Sequence, residues 1–363
     1  MTSNRLSIPS SAIPQSSVVI PLQVFPAYNS LESPQGPPAG KQPAAPIYKV
    51  GINVSVTPSG QSAAFTNLYE FDTGGKGFFA GNVPTVVPPN PVGDVDNKYD
   101  SGISYDGSAT YATIAFPDTT PPLTLPLEML IGVITSVRYP GATNPQLPVF
   151  TSLDGALHLY GDFGMSLAPN TGHSHKHTTV PLLSVLAQLG SQYGGFIVDV
   201  GGYPPGSTPA RVILGIAQLT SYFPNVFPMT AGGTYQPQDP PASQAGLPAI
   251  NTFSAQPLTG TLQVGEQTFD DVQIVFDTGA PQTTIHNLLP PNTPASGQII
   301  LTVTHGTNSY EVLNFVASDE PGVNAVKVQG KPKGGTPTIN TGLTPFFANP
   351  ILFDLQNGTI GFV

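Results

Sequence analysis

The tetrapeptide Phe-Asp-Thr-Gly occurs twice in this chain of 363 residues, once in each half. The copies are residues 71–74 and 276–279, and each follows a short run of apolar or β-prone residues. An acid at the end of a strand, followed by a hydroxyl residue and a glycine, suits a tight loop in which backbone N–H groups point at the carboxylate. The chain is therefore expected to build the same acid-bearing loop twice.

The pair of motifs has a chemical meaning that a single copy lacks. Asp-Thr-Gly alone is common turn chemistry, because Asp and Thr bond to nearby backbone groups and Gly adopts positive φ. Two carboxyls about 3 Å apart cannot both ionise, so they share a proton, and one acts as a base while the other acts as an acid. The spacing of Asp72 and Asp277 suits one carboxyl from each of two similar lobes, with a water between them that attacks an amide carbonyl.

Proline and glycine are abundant, with 42 Pro and 39 Gly against 9% charged residues. The prolines cluster between apolar runs, which favours many strands joined by turns and loops. Helical periodicity is clearest at residues 180–189. Strands are predicted where β-branched and aromatic residues dominate, at residues 48–56, 103–116, 195–200 and 298–303.

The residues around the two motifs resemble the pepsin-like aspartic peptidases, whose two lobes each carry an Asp-Thr-Gly loop. The resemblance covers most of the chain. It includes an apolar Gly-containing segment, a first-lobe helix, a strand that leads out of the first lobe, and the last helix and hairpin of the second lobe. These segments are residues 163–169, 180–186, 211–216, 342–347, 351–354 and 358–362.

The resemblance implies an all-β, bilobal pepsin-like acid-protease fold with two related β-barrel-like lobes and few short helices. The first lobe, with the first loop and a flap hairpin, is expected to span residues 1–219, and the second lobe residues 220–363. The implied activity is that of an aspartic endopeptidase, which needs no cofactor and no metal. Its partner would be an extended polypeptide substrate in the cleft between the lobes, bound by a monomer.

The resemblance also assigns roles to residues of the two loops. Asp72 and Asp277 would be catalytic. The threonines would bond across the lobe interface, and the glycines would allow a close approach of the backbone. These supporting residues are Thr73, Gly74, Thr278 and Gly279.

A flap hairpin is predicted around Tyr105, Asp106 and Gly107, with Asp-Gly as a two-residue turn. In the family such a hairpin covers the cleft and carries a tyrosine, so these three residues are candidates for substrate binding. Tyr99 and Tyr111 are alternative rings for the same role, and ordinary cross-strand packing of the tyrosines is the other interpretation.

Both loops lack a hydroxyl that the family usually places after the glycine, since Gly75 and Ala280 stand there. A hydroxyl donor stabilises the ionised carboxylate. We therefore expect a mildly acidic to near-neutral pH optimum. The same departure leaves open a catalytically weak or inactive protein of the same fold that binds a protein or carbohydrate.

The formal charge of −10, with only 11 Lys plus Arg, argues against a nucleic-acid partner, because phosphate binding needs a concentrated basic face. The absence of cysteine excludes disulfides, zinc–thiolate sites and a Cys nucleophile. No stretch is long and apolar enough to span a membrane. The low lysine content and the Ser, Thr, Gly and Pro-rich surface favour an exported protein over a cytoplasmic one.

Two further groups of residues have competing interpretations. The alternating histidines of residues 173–177 could hold a metal, but a solvated loop is favoured because carboxylate or thiol support is lacking. Phe78, Phe79 and Ile285 are candidates for apolar specificity pockets, although core packing is the favoured interpretation.

Overall fold

The computed structural model shows a chain made mainly of β-strands, with two short α-helices in the part that it describes. That part comprises residues 5, 7–27, 47–81, 92–99, 102–139, 148–168, 181–206, 208–235, 247, 249–290, 293, 295–318, 322–330 and 335–363.

The chain forms two compact units, each built from separate stretches of sequence. The first-loop unit contains Ile20–Ser191 and Tyr235–Ile250, and therefore the first Asp-Thr-Gly motif. The second-loop unit contains Met1–Val19, Gln192–Thr234 and Asn251–Val363, and therefore the second motif. The predicted lobe boundary at residue 219 is a single cut through the chain, and it stays a prediction.

The first-loop unit contains ten strands and one α-helix among its described residues. They are β1 (Val18–Ala27), β2 (Ile47–Pro58), β3 (Phe65–Asp72), β4 (Phe78–Ala80), β5 (Gly93–Lys98), β6 (Ser104–Phe116), β7 (Leu123–Thr124), β8 (Met129–Arg138), β9 (Phe150–Thr151), β10 (His158–Gly164) and α1 (Pro181–Leu189).

These strands pair in the order β1-β2-β3-β10-β4-β8-β6-β5, with β7 beside β6 and β9 beside β10. Strand β6 also pairs with β2, so the path from β2 to β6 returns to its start and forms a barrel-like sheet. Alternation explains why β2 is a strand: Ile52, Val54 and Val56 are buried, while the polar residues between them are half-exposed.

The core of the first-loop unit is rich in aromatic rings. Phe78 is fully buried and makes edge contacts with Tyr69 and Phe163, at centroid distances of 5.0 and 5.1 Å. Phe163 also contacts Phe116 at 5.9 Å. Because these rings lie on β3, β4, β6 and β10, they fasten the strands that carry the first motif to one another.

The second-loop unit contains the remaining strands and the second α-helix. They are β11 (Gly195–Asp199), β12 (Arg211–Leu214), β13 (Asn225–Pro228), β14 (Ala231–Tyr235), β15 (Ile250–Phe253), β16 (Leu258–Val264), β17 (Gln267–Val275), β18 (Thr283–His286), β19 (Gln298–His305), β20 (Asn308–Val316), β21 (Val326–Gln329), β22 (Thr338–Asn340), α2 (Thr344–Ala348), β23 (Ile351–Asp354) and β24 (Thr359–Phe362). Short 3₁₀ turns lie at Ser10–Ala12, Ser191–Tyr193 and Thr220–Tyr222.

The strands of this unit form three groups. A seven-stranded sheet has the order β20-β19-β16-β17-β22-β18-β21, and it carries the second motif. A second group has the antiparallel order β13-β24-β23-β11-β12, and β14 pairs with β15.

A buried charge cluster holds the N-terminal segment within the second-loop unit. Asp199 is fully buried, and it accepts a 2.5 Å hydrogen bond from Arg5 and lies 3.5 Å from the Nε atom of Arg211. Arg211 also donates to the carbonyl oxygen of Ile8 and, at 3.1 Å, to the hydroxyl of Ser10. The Ile8 side chain packs in a hydrophobic cluster with residues of β11 and β12, so the segment is an integral part of this unit.

Most of the predicted elements are confirmed. The strands predicted at residues 48–56, 195–200 and 298–303 are β2, β11 and β19. The predicted helix is α1, and the helix and hairpin expected near the C-terminus are α2, β23 and β24. Within the described ranges, no helix is long and apolar enough to cross a membrane.

Candidate active site

Each Asp-Thr-Gly motif lies at the end of a strand that has a parallel partner. Strand β3 ends at Asp72 and pairs in parallel with β10, with Asp162 opposite Glu70. Strand β17 leads to Asp277 and pairs in parallel with β22, with Asn340 opposite Val275. Asp162 and Asn340 therefore occupy the same position, opposite the residue two places before the motif aspartate.

The strand that follows each motif completes the same local topology in both units. Strand β4 is antiparallel to β10, with Phe79 opposite Asp162, and β18 is antiparallel to β22, with Thr284 opposite Asn340. A further strand then pairs in parallel, β8 with β4 and β21 with β18. The repeated tetrapeptide of the sequence is thus part of a repeated supersecondary structure.

The first loop holds Asp72 through the backbone. The buried Asp72 side chain accepts hydrogen bonds at its Oδ1 atom from the N–H groups of Gly74 and Gly75, both at 2.8 Å. Its carbonyl oxygen accepts a 2.6 Å bond from the N–H group of Met165. A Cβ atom on Gly164 would lie 2.6 Å from the carbonyl oxygen of Gly75, so only glycine allows the strand to approach this closely.

The second loop holds Asp277 in the same way. The Oδ1 atom of Asp277 accepts bonds from the N–H groups of Gly279, at 2.8 Å, and Ala280, at 3.0 Å. Its Oδ2 atom accepts a 2.5 Å bond from the side-chain amide of Asn340. The amide oxygen of Asn340 accepts from the N–H group of Gly342 at 3.0 Å, which fixes the orientation of the amide.

The supporting residues predicted from the sequence make the following contacts within each loop. Gly74 and Gly279 donate backbone hydrogen bonds to the motif aspartates. The side chains of Thr73 and Thr278 are buried. The predicted bond of these threonines across the lobe interface stays a prediction.

Asp162 is a buried acid next to the first loop that sequence reasoning missed. Its side chain is 1% exposed, and its Oδ2 atom accepts a hydrogen bond from the hydroxyl of Tyr99. Burial, followed by the negative charge of Asp162, raises the pKa of Tyr99 well above its ordinary value, so the hydroxyl remains a donor throughout the neutral range. The available signal was a shared spacing, since Asp162 and Asn340 each stand two residues before a glycine, Gly164 and Gly342.

Gly75 occupies the narrow space between two carboxyl groups. A Cβ atom built on Gly75 would lie 2.7 Å from an oxygen of Asp72 and 2.7 Å from an oxygen of Asp162. The two oxygens are the Oδ2 atoms of Asp72 and Asp162, and they are therefore no farther apart than twice 2.7 Å. The missing hydroxyl at this position has a steric reason, because a side chain would meet both acids.

We predict different effects from restoring a serine in the two loops. Gly75→Ser is expected to lower the free energy of unfolding by about 1–3 kcal/mol, because its Cβ forces the two carboxyls to move. Ala280→Ser should change stability by no more than about 0.5 kcal/mol, because this position already has a Cβ atom. Chemical unfolding of both variants measures the difference, and equal losses would contradict the steric interpretation.

The predicted two-residue turn of the flap hairpin is wrong. Asp106 and Gly107 lie within strand β6, which pairs with β5 on one side and β8 on the other. Gly107 is needed for close approach at a β-bulge, since its Cβ would lie 1.9 Å from the carbonyl oxygen of Val133. The hairpin connection lies instead between β5 and β6, where the N–H group of Tyr99 donates to the carbonyl oxygen of Ile103 at 2.9 Å.

The side chains of the flap candidates have structural contacts. Tyr105 is buried in a cluster that includes Phe79, and its ring contacts that of Tyr99 at 5.2 Å. Burial raises the pKa of Tyr105 well above its ordinary value. Asp106 pairs with Arg138 at 2.6 Å. Tyr99, which lies at the hairpin connection, donates its hydroxyl to Asp162 next to the first loop.

The remaining candidates are placed as follows. Phe78, Phe79 and Ile285 are buried in the core, so core packing is confirmed for them. The histidines of residues 173–177 lie outside the described residues. Within the described ranges, no group of three or more His, Cys, Asp or Glu side chains is arranged to hold a metal ion.

Known structures share this architecture. The structure is similar to an aspartic proteinase from Irpex lacteus, with a TM-score of 0.52 and 16% identity over 94% of this chain and 96% of that chain. The fold is pepsin-like. Basic 7S globulin from soybean is similar to the same extent, with a TM-score of 0.52 and 12% identity over 94% of this chain and 96% of that chain.

The pepsin-like fold by itself does not determine the activity of this chain. No protein-family model matches the sequence, and no curated protein matches it. The identities to the two solved structures are low, and one is named a proteinase while the other is named a globulin. The functional argument therefore depends on the residues of the two loops.

Proposed function

We propose that this pepsin-like protein is an aspartic endopeptidase that hydrolyses peptide bonds of an extended polypeptide. One observation carries the proposal: two copies of the same strand–loop–strand topology each present an aspartate whose Oδ1 atom accepts two backbone N–H bonds. This arrangement holds the Oδ1 atoms of Asp72 and Asp277 in the same way within their loops, and the Oδ2 atoms are the ones that we propose exchange protons with the substrate.

The proposed mechanism uses one protonated and one ionised aspartate with a water between them. The ionised carboxylate takes a proton from the water while the water oxygen bonds to the carbonyl carbon of the substrate. The protonated acid gives its proton to the carbonyl oxygen. The resulting gem-diol collapses when the first acid passes its proton to the amide nitrogen and the carbon–nitrogen bond breaks. A diol hydroxyl returns its proton to the second carboxylate, so the starting protonation state is restored.

The proposed partner is a polypeptide in extended conformation, bound by a monomer without a cofactor or metal. We retain the mildly acidic to near-neutral pH optimum. This pH optimum is supported by the absence of a hydroxyl at Gly75 and Ala280 that could bond to either aspartate. Nucleic acid is not a proposed partner, because the chain carries a formal charge of −10.

The proposal is tested by incubation of the protein with a denatured polypeptide from about pH 3 to about pH 7. A peptidase of this class should produce fragments that a statine-type inhibitor suppresses. The inhibitor is the control for contaminating enzymes of other classes. No inhibitor-sensitive cleavage at any pH would contradict the endopeptidase proposal.

A binding protein of the same fold is the second candidate, and a cavity favours it. The second-loop unit contains a cavity of about 420 Å³, and none of its lining residues belongs to either Asp-Thr-Gly loop. Its wall includes the partly exposed ring of Tyr203 together with Tyr310, Glu311 and Asn314. A protein that shows no cleavage but whose Tyr203→Ala variant loses binding to a panel of oligosaccharides or peptides would support this candidate.

A further inference from the structure

The two catalytic loops differ in the group that faces the second oxygen of the aspartate. Asn340 and Asp162 occupy the same position in the repeated topology, opposite the residue two places before the motif. In the second loop, the amide of Asn340 donates to the Oδ2 atom of Asp277 at 2.5 Å. In the first loop, a carboxyl stands in this place.

An amide and a carboxyl at this position have different consequences. The amide of Asn340 is a hydrogen-bond donor, so it stabilises a negative charge on its neighbour. Asp162 can donate only when it is protonated, and when it is ionised it repels a charge on Asp72. The Oδ2 atoms of Asp72 and Asp162 each lie 2.7 Å from the Cβ position of Gly75, and both acids are buried.

The other polar groups around Asp162 determine where a shared proton would reside. The hydroxyl of Tyr99 donates to Asp162, which favours its ionised form. Glu70 lies opposite Asp162 in the parallel strand pair and is itself paired with the buried Lys49 at 2.5 Å. Tyr105 interacts electrostatically with Asp162, Glu70, Tyr139 and Asp72. The half-buried Lys76 lies in the same loop as Asp72.

We propose that Asp162 is a positioning carboxyl that shares a proton with Asp72 and keeps that proton on Asp72, so that Asp72 is the general acid. Asn340 donates a hydrogen bond to Asp277, and Asp277 is the general base. This inference rests on the proposed function, because it assigns the two roles of the dyad mechanism to individual residues. The two motif aspartates therefore have different roles, although the tetrapeptides that contain them are identical.

The test exchanges the two groups. Asp162→Asn gives the first loop the amide of the second, so Asp72 should lose its proton at lower pH. The basic limb of the pH dependence of kcat/KM should then move down by about one pH unit or more. Asn340→Asp is the reciprocal variant, and it should move the acid limb up. Asp118→Asn, the same chemical change at an exposed carboxylate, is the control and should move neither limb.

A folded Asp162→Asn variant whose basic limb stays in place would overturn the proposal. A readout that does not depend on activity is the ¹³C NMR titration of the aspartate carboxyl carbons. A shared proton makes Asp72 and Asp162 titrate in the same two coupled steps, and Asp72→Asn should convert Asp162 to a single step. Independent one-step titrations in the parent protein would contradict the shared proton.

The two readouts separate this proposal from the proposed function. If the parent protein cleaves no polypeptide but the carboxyls of Asp72 and Asp162 titrate together, the endopeptidase proposal fails and the shared proton stands. If the parent cleaves and the titrations are independent, the endopeptidase proposal stands and the shared proton fails. If Asp162→Asn does not fold, the titration of the parent protein still decides whether Asp72 and Asp162 share a proton.

Discussion

Replacing Asp72 with Asn is expected to lower kcat for peptide hydrolysis by about 10²–10⁴-fold without loss of folding stability. The amide cannot exchange a proton with the substrate, but its oxygen can still accept the N–H bonds of Gly74 and Gly75. Its nitrogen takes the place of the oxygen near Asp162, so a hydrogen-bond donor to Asp162 is kept there. The measurements are kcat on a fluorogenic peptide and the midpoint of chemical unfolding.

The matched variant Asp277→Asn should lose the same activity but should also lose stability. Its amide nitrogen would face the Nδ2 donor of Asn340, and Asn340 cannot turn over without losing its bond from Gly342. Two donors in contact cost about 1–3 kcal/mol. An active Asp72→Asn variant would exclude Asp72 from the chemistry, and equal stability of the two variants would contradict the different surroundings of the two acids.

Replacing Asp199 with Asn is expected to lower the free energy of unfolding by about 3–5 kcal/mol. Asp199 is fully buried between Arg5 and Arg211, and removal of its charge leaves the two guanidinium groups without their counter-ion. The N-terminal segment should loosen at the same time, because Arg211 also bonds Ile8 and Ser10. Urea unfolding measures the loss, and proteolysis near residue 5 reports the release of the segment.

The control for this prediction is Asp106→Asn, which breaks the exposed pair with Arg138. The side chains of Asp106 and Arg138 are 34% and 59% exposed, so solvent already screens their attraction. Breaking such a pair costs no more than about 1 kcal/mol. A loss at Asp199 that is no larger than the loss at Asp106 would show that the buried cluster does not stabilise the fold.

Local sequence patterns predicted much of the fold. Strand β2 could be found because apolar and polar residues alternate along it, and α1 because its apolar residues recur with helical spacing. The flap hairpin was misplaced because Asp-Gly is a turn signal when it is judged locally. In the structure, Gly107 allows a close approach to the backbone of Val133, a residue of another strand.

The amino-acid sequence alone determined the two acid-bearing loops, because each loop is built by four consecutive residues whose own backbone N–H groups bind the carboxylate of Asp72 or Asp277. Only the tertiary structure decided which side chains stand against those carboxylates. Asp162 and Asn340 reach the loops through parallel strand pairing, and the register of such a pair depends on the packing of the whole sheet. For the same reason, the tertiary structure alone showed that the two loops have different electrostatic surroundings.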